Sequence, residues 1–129
     1  MDQKTVLFVD DDLNLLYSLK RGLMDEPYHC FFAGDVSEAL RILDKHAVHT
    51  IVSDLCMPDV DGLTFLREVR STYPHIKQIV LSGHQIVTQG YSANSAATRT
   101  VTFDTDQEIL MLAKPWEMSK LKALIRETF

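Results

Sequence analysis

Val6-Leu7-Phe8-Val9-Asp10-Asp11-Asp12 reads as a buried strand that runs straight into three carboxylates. The apolar run has the length of a strand and lacks the polar alternation of a sheet with one wet face, so both of its faces are expected to be covered, as in a parallel sheet. Two further runs end in a similar way: Thr50-Ile51-Val52-Ser53 leads into Asp54, and Ile109-Leu110-Met111-Leu112-Ala113 leads into Lys114-Pro115. As neighbouring parallel strands, these would gather several carboxylates and one ammonium at one edge, where an open α/β sheet binds its ligands.

Between the strands the spacing turns helical. Leu15, Leu16, Leu19 and Leu23 line one face of a first helix that Asp25, Glu26 and Pro27 end; Cys30-Phe31-Phe32-Ala33 is a second strand. Asp35, with Glu38 three residues on, forms a variant capping box before a helix whose buried stripe is Val36, Ala39, Leu40 and Leu43. Leu63, Leu66 and Val69 mark a third helix closed by Tyr73-Pro74, Ile76 to Leu81 is a fourth strand, and Leu121, Leu124 and Ile125 carry the last helix. The alternation predicts an α/β fold, doubly wound, with a mostly parallel sheet and right-handed crossovers. Residues 85–106 break the pattern: Gly90, Ser92, Asn94, Ser95 and the Thr-rich Thr98-Arg99-Thr100-Val101-Thr102 are poor helix formers. A short helix with a long loop, or an extra extended piece hinted at by Val101 and Phe103, is expected there.

With 129 residues the chain is expected to be one domain, without room for a second. A formal charge of -5 argues against nucleic-acid binding by bulk electrostatics. The 2 cysteines, Cys30 and Cys56, match neither a disulfide scaffold nor a zinc pattern, and reduced thiols in a cytoplasmic protein are expected. The start, Met1-Asp2-Gln3-Lys4, is unlike a signal peptide and no apolar run reaches membrane-spanning length, so no membrane partner is expected. After Pro115 there is room for one helix, so the chain is expected to be a complete single-domain protein or the front piece of a longer one.

The acidic strand end has two readings. Asp11 and Asp12 are good caps for the helix that follows. A cluster of carboxylates also suits Mg²⁺, which takes oxygen ligands and is often held by one or two carboxylates plus a phosphate. Asp54 is a turn or capping residue on its own; beside a divalent ion it becomes a nucleophile able to accept a phosphoryl group. The phosphoryl oxygens then need neutralising charge, which Lys114 could share with the metal, and Pro115 stops the strand ladder where that ammonium must aim. Ser82 offers a hydroxyl or a turn, and Gly83 leaves room beside it.

Val6 to Asp12, Ile51-Val52-Ser53-Asp54-Leu55-Cys56-Met57-Pro58-Asp59-Val60-Asp61-Gly62, Leu81-Ser82-Gly83-His84 and Ala113-Lys114-Pro115-Trp116 together resemble the receiver domain of bacterial two-component response regulators, over essentially residues 1–129. The resemblance implies a flavodoxin-like five-stranded parallel sheet of order 2-1-3-4-5. It also implies Asp54 as phosphoacceptor, Asp10 and Asp11 with Asp54 and the backbone carbonyl of Cys56 as Mg²⁺ ligands, Ser82 as switch hydroxyl and Lys114 as the phosphate-pairing lysine before Pro115. The partners it implies are a sensor histidine kinase or phosphotransfer protein, a C-terminal output domain or downstream protein, and a homodimer mate. Phosphorylation would bias a surface made by the fourth helix, fifth strand and last helix. The domain would assist its own phosphorylation and dephosphorylation without being an enzyme. Lys114-Pro115-Trp116 and the Ser82-Gly83-His84 turn resemble most closely receivers joined to HD-GYP-type outputs.

Three positions bear on the switch. Met111 stands where the family usually has Phe or Tyr, and the stretch from Ser82 to Lys114 is longer than the resemblance implies. Cys56 and His84 fall at positions that, by the same resemblance, modulate phosphoryl lifetime. The alternatives are a pseudo-receiver that only binds, an aspartate-nucleophile phosphohydrolase, disfavoured for want of room for a substrate cap, and a flavodoxin-type FMN binder, whose phosphate the first acidic strand end would repel.

Overall fold

The computed structural model describes residues 3–54, 56–57, 60–82, 98–102, 108–113 and 117–129. Strands β1 (Thr5–Val9), β2 (His29–Ala33), β3 (Thr50–Asp54), β6 (Lys77–Ser82), β7 (Thr98–Thr102) and β8 (Glu108–Ala113) form one sheet in the order β2-β1-β3-β6-β8-β7. Two short strands, β4 (Cys56–Met57) and β5 (Val60–Asp61), pair antiparallel after β3. The helices are α1 (Leu13–Gly22), α2 (Val36–Lys45), α3 (Gly62–Thr72) and α4 (Met118–Glu127).

The α/β architecture with a parallel sheet is as the alternation of apolar runs requires, and β2-β1-β3-β6 occupy the first four places of the expected order. Five parallel strands are not the whole sheet, however. Six strands are present, and the outermost described strand, β7, runs antiparallel to β8 with Thr100 opposite Leu110. The reason is local: Thr98, Thr100, Val101 and Thr102 are β-branched and favour an extended backbone. An antiparallel return also needs only a short connection, whereas another parallel strand needs a long crossover. Phe103 and the rest of 85–106 outside β7 lie beyond the described residues.

Two apolar layers sandwich the sheet. On one face Leu16 and Leu19 of α1 meet Leu121, Leu124 and Ile125 of α4 over Val6, Phe8, Val52, Ile79 and Leu112. On the other, Ala39 and Leu43 of α2 meet Phe65, Leu66 and Val69 of α3 over Leu7, Val9, Ile51 and Val80. Alternate residues of β1 therefore feed opposite cores, which is why the strand reads as continuously apolar. The side chains of Phe8 and Phe65, each 1% exposed, contribute roughly 2 kcal/mol apiece by burial. The expected stripe of α2 shifts slightly. Leu40 is 39% exposed, and Ile42 packs on the core instead.

The caps read in the sequence form. Asp35 Oδ1 accepts the Glu38 N–H at 2.7 Å at the start of α2, and Asp12 caps α1. At the far end of α1, Gly22 lies so close to α4 that an added Cβ would sit 2.5 Å from Met118 Cε. Among the described residues, no helix is long and apolar enough to cross a membrane.

Candidate functional site

The parallel register sets the strand ends side by side. Val9 pairs with Ser53, Asp54 with Leu81, and Ser82 with Ala113. The ladder of β1 and β2 extends to Asp10, whose N–H donates to the Ala33 carbonyl at 3.0 Å. Asp10 therefore leaves β1 at the same edge at which β3 ends in Asp54.

One ligand oxygen from each of Asp10, Asp11 and Asp54 lies within 4.8 Å of the other two. Asp10 is 3% and Asp54 8% exposed, while Asp11 is exposed. Two like charges this close repel by a few kcal/mol even at an effective dielectric constant of about 20. The donor set is all oxygen, open to solvent on the Asp11 side. Those properties fit a hard divalent cation that keeps part of its water shell, Mg²⁺ before the softer transition metals.

Asp12 is separated from this group, although the sequence offers both it and Asp11 as caps. Its side-chain oxygen accepts the N–H groups of Asn14 at 3.0 Å and Leu15 at 3.2 Å, so it is the cap of α1. Capping in the acidic run thus falls to Asp12, while Asp10 and Asp11 join the cluster with Asp54. The Asp12 N–H in turn donates to Asp10 Oδ1 at 2.8 Å, a bond with no sequence signature of its own. Beneath Asp54, the Ser53 hydroxyl donates to the Asp54 carbonyl at 3.0 Å.

The other expected site residues are placed in part. The backbone of Cys56 lies in β4, opposite Asp61 and two residues beyond Asp54. Ser82 ends β6, and Met111 lies in β8 opposite Val80 on one side and Arg99 of β7 on the other. Gly83, His84, Lys114 and Pro115 lie outside the described residues. The described residues thus bring together Asp10, Asp11 and Asp54, and set the end of β6 next to the end of β3.

A family model for the response regulator receiver domain matches residues 6–126. The chain belongs to the response regulator receiver domain family. It is 28% identical over 127 residues to an NtrX-like response regulator of Rickettsia conorii, covering 95% of this chain and 27% of that protein. It is 34% identical over 125 residues to the sensor kinase CckA of Brucella abortus, covering 95% of this chain and 12% of the kinase. The receiver thus spans about a quarter or less of these relatives. Among solved structures, the signal receiver domain of an HD domain-containing protein from Pseudomonas fluorescens superposes with a TM-score of 0.78 at 25% identity, covering 98% of this chain and 94% of that one.

Proposed function

We propose that this receiver is a phosphorylation-driven switch in a phosphorelay, with Asp54 as the phosphoacceptor. The observation that carries the reading is the convergence of Asp54 with Asp10 and Asp11 from a separate strand end, two of the three carboxylates being buried. Asp10, Asp11, Asp54 and the Cys56 carbonyl would hold Mg²⁺. When bound, the ion supplies charge neutralisation for phosphoryl oxygens.

In this reading a carboxylate oxygen of Asp54 attacks the phosphorus of a partner kinase's phosphohistidine, or of a small phosphodonor. The new O–P bond forms as the P–N bond, or the donor's P–O bond, breaks, and the electron pair leaves with the histidine nitrogen or donor oxygen. Burial of Asp54 at the end of β3 keeps its backbone fixed during transfer. Lys114 pairs with a phosphoryl oxygen, and the Ser82 hydroxyl moves to donate to another. The change is passed through β8 to the neighbouring surface, where Met111 replaces a turning aromatic ring by a flexible side chain. The domain works in the cytoplasm and turns over no free substrate. Its output is a further domain or a downstream protein, and likeness to the receiver of an HD domain-containing protein supports an output of the HD type.

Incubation with acetyl phosphate and Mg²⁺ tests this by intact mass. The wild-type chain is expected to gain one phosphoryl group and Asp54→Asn none. Undiminished incorporation by Asp54→Asn overturns the acceptor.

A further inference from the structure

Asp12 does two things at once. Its carboxylate caps α1 through the N–H groups of Asn14 and Leu15, at 3.0 Å and 3.2 Å, and its own N–H donates to Asp10 Oδ1 at 2.8 Å. The two bonds are coupled by the backbone between them. A cap residue must leave the helical region, and Asp12 sits at φ -83, ψ 99. That extended conformation, held by the cap, also sets the direction of the Asp12 N–H.

We propose that Asp12 is a positioning residue for the metal site: by capping α1 it locks the donor that orients the Asp10 carboxylate toward Asp11 and Asp54. This rests on the reading of the acidic cluster as a Mg²⁺ site. A metal-ligating carboxylate is usually held by a second hydrogen bond, and loss of such support weakens metal affinity by roughly tenfold or more. In this chain the support comes from a main-chain group, and the side chain of the same residue governs where that group points. α1 is thereby tied to the site by its first residues, with Leu13 following the cap directly.

Asp12 could also act as a fourth negative charge near the cation. The two roles differ in what a neutral cap would do. Asn at this position keeps a capping oxygen and loses the charge; Ala loses both. Asp35 supplies a control, because it too is an aspartate N-cap with an extended backbone, capping α2 after β2 through the Glu38 N–H at 2.7 Å, and is not among the clustered carboxylates.

The experiment is calorimetric titration of MgCl₂ into the unphosphorylated chain, with melting curves recorded in EDTA. Asp12→Ala is expected to bind Mg²⁺ about tenfold more weakly than wild type, and Asp12→Asn within about twofold of wild type. Asp35→Ala is expected to melt lower, as Asp12→Ala does, with its Mg²⁺ affinity unchanged. Should Asp12→Ala prove too unstable to titrate, Asp12→Gly, which a helix start tolerates better, is expected to show the same loss of affinity. Wild-type affinity in Asp12→Ala or Asp12→Gly overturns the proposal. An Asp12→Asn variant as weak as Asp12→Ala overturns it too, in favour of simple charge. A loss of affinity in Asp35→Ala equal to that in Asp12→Ala would reduce the effect to general instability and overturns it as well. Absence of Mg²⁺ binding by the wild type rejects the metal reading itself, and the positioning role with it.

Discussion

At the carboxyl ends of the strands, Asp10, Asp11 and Asp54 bring like charges within 4.8 Å, whereas at the opposite end of the sheet the charges are matched and the contacts knit the chain together. There Glu26, its side chain only 5% exposed, accepts from Arg126 at 2.5 Å. The hydroxyls of Thr50 and Thr128 lie 2.6 Å apart, and the rings of Tyr28 and Phe129 meet edge to face at 5.3 Å. β3 joins the two ends, starting at Thr50 and finishing at Asp54. The difference shows a division of labour. Unlike charges meet where α4 is seated, even though Glu26 Oε1 and the Tyr28 hydroxyl are buried there without a hydrogen-bond partner among the described residues, and like charges crowd where a ligand is expected, a combination typical of functional sites carried on a stable frame.

That comparison breaks if the acidic end proves as self-sufficient as the other. Mg²⁺ is expected to raise wild-type stability by RT ln(1 + [Mg²⁺]/Kd), about 2.7 kcal/mol at one hundred times Kd. Asp11→Ala is expected to lose at least a factor of ten in affinity, and so about 1.4 kcal/mol of that gain. Urea denaturation with and without the metal measures both. A wild-type curve that does not move with Mg²⁺ would remove the distinction between the two ends.

Smaller is the effect of cutting the tie at the other end. Arg126→Ala leaves the Glu26 carboxylate buried without its cation; because Arg126 is itself 61% exposed, water enters easily and the expected cost is about 1–2 kcal/mol. The Mg²⁺-dependent gain should be unchanged, since the two sites lie at opposite ends of β3. A shift in Mg²⁺ affinity on Arg126→Ala, read by the same titration, would show that the ends are coupled through the sheet.

How much of this was legible in the sequence varied with the kind of interaction. Strand ends were readable because a buried parallel strand must be apolar on both faces, so Val6 to Val9 and Thr50 to Ser53 stand out and their acidic successors with them. Caps were readable because Asp before a helical stripe has one main use, as Asp35 has. Residue chemistry alone left Asp11 and Asp12 alike as caps, since the choice between capping and clustering depends on backbone direction at a single residue; only the family resemblance singled out Asp11 for the cluster. β7 was half visible in its β-branched residues, while its antiparallel pairing with β8 is a tertiary outcome that spacing does not encode. Leu40 was misassigned because the buried stripe of Ala39 and Leu43 is turned toward Ile42 on its other flank, which leaves Leu40 39% exposed. The ties of Glu26 to Arg126 and Thr50 to Thr128 join residues far apart in sequence and leave no periodic trace.

The smallest effect expected is the response of the Glu26–Arg126 end to alkali. Burial first, and the neighbouring Glu26 carboxylate second, push the Cys30 thiol up to about 11. Burial, Glu26 and Cys30, in that order, push the Tyr28 hydroxyl well above its usual 10, and Arg126 offsets part of the rise. Each group is held neutral more firmly in the folded chain than in the unfolded one. Their contribution to stability is therefore complete below the unfolded values, near 9 for the thiol and 10 for the phenol, and is lost as pH rises from there through the folded values. Stability measured by urea denaturation should fall between about pH 9 and 11, and Cys30→Ala or Tyr28→Phe should flatten that fall. With its thiol pushed up, Cys30 carries less thiolate at pH 8 in the folded chain than in the unfolded one, so iodoacetamide should label its peptide more slowly in the folded chain than in urea. Equal labelling rates in the two states would show the thiol to be solvated. The tight seat described for this end of the sheet would then have to be abandoned, and with it the contrast to the acidic end.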